Sequence, residues 1–63
     1  MDNYDYDKIR EQISRIRNEG TFTMFDISTV MRYADMFNYD ELIALIEKDE
    51  KSYMYFILTG KFE

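Results

Sequence analysis

The chain has 63 residues, enough for one small domain. Its composition is 46% apolar with six Tyr, five Phe and five Met, which excludes a disordered tail; two Gly and no Pro exclude collagen-like and Pro-rich chains. The absence of Cys and His removes disulfides, thiol chemistry, Cys-type zinc sites and the commonest general base, and a net charge of −5 disfavours nucleic acid as a partner.

The charge is uneven along the chain. Residues 1–7 are acidic, residues 8–20 carry Lys8, Arg10, Arg15 and Arg17 against two acids, and the remainder is acidic again. An acidic surface suits solubility or a basic protein partner. The acidic start is unlike a signal peptide, and the longest apolar run, Tyr53 to Leu58, is far shorter than the about 20 residues of a membrane span. The expectation is a soluble, cytoplasmic protein without membrane contact. A chain this short is marginally stable alone, so dense packing or a partner is expected.

Residues 5–19 predict a first helix. Ile9, Ile13 and Ile16 form one stripe, extended by Tyr6. Asp5 and Asp7 suit its positive start, and Glu11 precedes Arg15 by four residues, the favourable order for an ion pair. Gly20 is expected to end the helix in the left-handed conformation. A connector follows, Thr21 to Phe25. Either Thr23 or Asp26 can cap the next helix, with Asp26 preferred. That helix buries Ile27, Val30, Met31, Ala34 and Phe37, with Tyr33 at its flank and Arg32 and Asp35 in water.

Asn38 and Glu41 have capping-box spacing and predict a third helix from about Tyr39 to Lys48. Leu42, Ile43, Leu45 and Ile46 form its apolar face; Asp40, Glu41 and Glu47 lie outside. Residues 53–59, YMYFILT, have a strand-like composition. A lone strand would have no partner, and no Gly or Pro interrupts residues 47–51, so a helix from near Asp49 to Thr59 is predicted, separate from the third or continuous with it. Gly60 is placed to stop it. The whole reads as an all-α bundle of three to four short helices in a single domain over 1–63, with terminal tails at 1–4 and 61–63.

Several blocks occur in order: isoleucines before Gly20, a turn over Thr21 to Asp26 containing Met24-Phe25-Asp26, a helix start at Tyr39, Glu41, Leu42 and Ile43, and an ending at Tyr53, Phe56, Ile57, Thr59 and Gly60. Over roughly residues 9–60 the chain resembles a family of small uncharacterised proteins from phages, prophages and mobile elements of Firmicutes. Thr23 departs from that pattern, which has Asn before the Met and Phe. The resemblance implies a helical fold and a phage setting, and no activity.

Catalysis has little to work with. The adjacent acids Asp40/Glu41 and Asp49/Glu50 diverge on a helix and would not converge on one atom. No phosphate-cradling glycine loop and no calcium-loop pattern occurs in the sequence, so neither enzyme nor cofactor is expected. Residues 27–48 have a helix-turn-helix outline, but the reading helix would open with Asp40-Glu41 against phosphates. A small DNA-binding regulator is therefore the second reading, and a phage structural or assembly accessory the third.

The favoured reading is a protein that binds and inhibits a host or antiphage-defence nucleic-acid enzyme, in the manner of an anti-CRISPR, by acidic mimicry of a nucleic acid. The expected protein-binding residues are Tyr33, Asp35, Tyr39, Asp40, Glu41, Glu47, Asp49 and Tyr55, acids with neighbouring tyrosines. The last helix is apolar nearly all round, and Tyr53, Met54 and Leu58 are the expected contacts of a possible homodimer.

Overall fold

The computed structural model describes residues 4–62 and folds them into four α-helices: α1 (Tyr6–Glu19), α2 (Ile27–Met36), α3 (Asp40–Lys48) and α4 (Glu50–Thr59). No strand occurs among the described residues, so the all-α expectation holds. α3 lies close to each of the other three helices, and α4 runs closest to α3.

Three helices start on the same device. Asp5 accepts the Lys8 N–H at 3.1 Å, Asp26 accepts the Thr29 N–H at 3.3 Å, and Asp49 accepts the Ser52 N–H at 3.3 Å. Each satisfies a donor that has no partner within its helix. In the second and third cases the hydroxyl of Thr29 or Ser52 also donates to the same carboxylate, at 2.8 and 2.7 Å. Asp26 is therefore the cap of α2. Thr23 forms the preceding turn, its hydroxyl accepting the Phe25 N–H at 3.2 Å.

Two expectations need correction. Gly20 ends α1 in an extended conformation (φ −153°, ψ −178°), not a left-handed one. What calls for glycine here is room: the Phe22 ring stacks on Tyr33, and a Cβ on Gly20 would lie 2.8 Å from the Phe22 ring. Asn38 does not cap α3. It is left-handed (φ 59°) and closes α2, with its N–H on the Asp35 carbonyl and the Tyr39 N–H on the Ala34 carbonyl. That is the Schellman arrangement, and Asn is among the few residues besides Gly that tolerate it. Of the two arrangements left open for the last helices, the separate one is found: α3 and α4 are distinct. Asp49 ends one and caps the next, with extended φ (−149°) between them.

The core comprises Ile9, Ile13 and Ile16 of α1, Met24, Val30 and Ala34, Leu42, Leu45 and Ile46 of α3, and Tyr53 of α4. Tyr53 is fully buried and its phenol donates to the Met24 carbonyl at 2.6 Å, tying α4 to the α1–α2 connector. Its expected role in self-association is therefore corrected: it fills this chain's own interior. Of the other two, Met54 is half-buried and Leu58 is 72% exposed.

The start of α1 meets the segment that follows α4. Phe62 stacks on Phe56 (4.4 Å between centroids) and packs on Tyr6 (4.6 Å), which contacts Tyr4 (5.8 Å). The guanidinium of Arg10 lies 5.7 Å from the Phe62 ring. Within the expected tails, then, Tyr4 and Phe62 are packed; residues 1–3 and 63 lie outside the described residues.

Candidate functional site

Tyr39 stands at the cap position before α3 and supplies no side-chain cap. The missing acceptor comes from another helix. Gln12, on the buried stripe of α1 and only 5% exposed, accepts the Leu42 N–H at 3.1 Å and donates to the Glu41 carboxylate at 3.0 Å. Lys8, one turn earlier, approaches the same carboxylate at 3.6 Å. One amide thus caps α3 and fastens it to α1.

This clamp forms one wall of an open cleft of about 450 Å³ between α1 and the start of α3. α1 contributes Lys8, Glu11, Gln12 and Arg15; the α2–α3 turn and α3 contribute Phe37, Asn38, Tyr39, Asp40 and Glu41. Arg15 is 3.7 Å from Glu11, the expected ion pair. The Phe37 and Tyr39 rings are 5.4 Å apart and continue an aromatic row through Tyr33 to Phe22. Hydrogen bonding from Gln12, above all, holds the Glu41 carboxyl below its ordinary 4.5, with help from its own backbone N–H and Lys8.

The cleft brings together Tyr39, Asp40 and Glu41 of the residues expected to bind a protein. The others lie elsewhere. Asp35 is exposed on α2 beside Met36, which is 60% exposed. Glu47 is exposed two turns beyond Asp40 on α3. Tyr55 is exposed on α4. Tyr33 is half-buried in the aromatic row, and Asp49 is occupied as a cap.

The carboxylates therefore divide. Asp5, Asp26 and Asp49 cap helices, Asp7 and Glu11 pair with Arg10 and Arg15, and Glu41 is held by Gln12 and Lys8. Among the described residues, Asp35, Asp40 and Glu47, with Glu19 and Glu50, have no such partner. Sequence reasoning missed Gln12. Its signal was a polar residue next to Ile13, within the apolar stripe of α1.

A family model matches residues 5–61, nearly the whole chain. The chain belongs to the family described as a domain of unknown function, DUF5049. No match was found among curated proteins or among solved structures. For this DUF5049 chain the chemistry must accordingly be read from its own side chains. No group of three or more acids able to hold a metal ion occurs among the described residues, and none of their helices is long and apolar enough to cross a membrane. α3, the second helix of the helix-turn-helix outline, packs against the other three helices and exposes Asp40, Glu47 and Lys48.

Proposed function

We propose that this domain acts without catalysis, by binding a basic, nucleic-acid-handling protein through exposed carboxylates that take the place of phosphates. The observation that carries the reading is the division of the acids: Asp35, Asp40 and Glu47 are exposed and serve no bond within the described fold. Exposed like charges destabilise a compact chain, so an unused excess fits a surface meant for a basic partner. The resemblance to phage and mobile-element families makes the target class a host or antiphage-defence nucleic-acid enzyme, such as a CRISPR effector, in the bacterial cytoplasm. Inhibition then follows from occupying the enzyme's nucleic-acid groove.

The test is affinity purification from a bacterial host with mass spectrometry, comparing the wild type with Asp35→Lys/Asp40→Lys/Glu47→Lys. Glu41 is left intact because it is part of the α1–α3 clamp. The expected result is capture of a nucleic-acid enzyme that the variant loses, that salt weakens, and that an oligonucleotide displaces. A partner retained by the variant and indifferent to salt and oligonucleotide contradicts the proposal.

A further inference from the structure

The cleft between α1 and α3 has a composition that selects among ligands. Its two cations are already engaged: Lys8 lies 3.6 Å from Glu41, and Arg15 lies 3.7 Å from Glu11. Three carboxylates face two cations, and the one left over is Asp40. Asp40 adjoins Tyr39, and Tyr39 with Phe37 supplies aromatic surface to the same cleft. Aromatic surface beside an unpaired carboxylate matches a guanidinium, which is planar, stacks on rings and binds a carboxylate through two parallel N–H donors. A lysine ammonium has neither the plane nor the fork. A phosphate would have to displace Glu11 and Glu41 from the two cations. The volume, about 450 Å³, lies within the roughly 300–1,000 Å³ usual for ligand clefts.

We propose that this cleft receives an arginine side chain of the partner protein, its guanidinium against Tyr39 and paired with Asp40. The inference rests on the reading of a basic protein target and deepens it by naming the site and the residue it takes. The clamp preforms the site. Gln12 fixes Glu41 and the first turn of α3, so the cleft needs no rearrangement to bind, which lowers the cost of association.

The experiment is an NMR titration of the isotope-labelled chain with N-acetyl-arginine amide, with N-acetyl-lysine amide and inorganic phosphate as separate arms. The arginine derivative should shift the Tyr39 ring and the Asn38 and Asp40 amides, saturating at about millimolar concentration, as one anchored side chain can provide. The lysine derivative should bind several-fold more weakly. Asp40→Asn, at an exposed position outside the clamp, should weaken arginine about tenfold, as should Tyr39→Leu. Unchanged amide spectra elsewhere show that each variant is folded. Shifts with phosphate and none with arginine overturn the inference, because Lys8 and Arg15 would then form an anion site. Arginine shifts spread equally over Asp35 and Glu47 overturn it too. Loss of the partner by the triple charge variant without arginine binding at the cleft refutes this inference and leaves the reading of exposed carboxylates standing. Arginine binding at the cleft with the partner retained by that variant, which carries Asp40→Lys, overturns the inference as well, because the partner then docks without this site.

Discussion

Two buried polar side chains, Gln12 and Tyr53, join segments about 30 positions apart in sequence, and both are bonded. A buried polar group is costly only when its partner is missing. Gln12→Leu removes the acceptor for the Leu42 N–H and should cost about 1–3 kcal/mol, read as a lower urea midpoint with an unchanged slope. Tyr53→Phe strands the Met24 carbonyl and should cost about 1–2 kcal/mol. Burial pushes the Tyr53 phenol well above its ordinary 10.0. The unfolded chain thus ionises first, and stability present below pH 10 falls as the pH rises beyond it. That alkaline decline should be shallower in Tyr53→Phe when unfolding is followed from about pH 8 to 11. Glu41 has the opposite sign. Its lowered value means its contribution is present above 4.5 and fades as the pH falls through the folded value. Glu41→Gln should flatten the acid limb of the same profile.

The elements show which signals a sequence carries. Apolar stripes spaced for a helix place α1, α2 and α3, because burial of an apolar face follows from spacing alone. The helix in residues 53–59 is also legible, since an isolated strand has nothing to pair with. The break at Asp49 has a subtler signal than Gly or Pro. Asp49 is followed three positions later by Ser52, which repeats the Asp26–Thr29 pattern at the start of α2. Glu50, the first residue of α4, takes no part in that cap. Asn38 departs from its sequence reading for a different reason. Its spacing to Glu41 fits a capping box, but the same residue also closes helices in the left-handed conformation, and only the backbone decides between the two. Asn38→Gly should therefore be tolerated, whereas Asn38→Val should destabilise by about 1–2 kcal/mol in thermal melts, since a β-branched side chain opposes positive φ.

At the scale of the whole molecule, the apolar excess of so short a chain is largely used internally. Tyr53 fills the core, and the rings of Tyr6, Phe56 and Phe62 pack together. The exposed remainder is scattered over Phe25, Met36, Tyr55 and Leu58. Charge behaves differently. The sequence shows thirteen acids but not their duties, because a carboxylate that caps a helix and one that waits for a partner are the same residue type. Sequence alone groups Asp49 and Glu41 with Asp35, Asp40 and Glu47 for that reason, and three-dimensional contacts separate them. The cleft is illegible for the same cause, since it depends on Gln12 joining two helices that lie far apart in sequence.

The division of the acids is tested most directly by equilibrium unfolding in urea of two triple variants. Asp5→Ala/Asp26→Ala/Asp49→Ala removes the three caps and should lose about 3 kcal/mol, or fail to fold. Asp35→Asn/Asp40→Asn/Glu47→Gln removes the same number of charges and should stay within about 0.5 kcal/mol of the wild type, or exceed it as self-repulsion falls. Equal losses in the two variants would contradict the account.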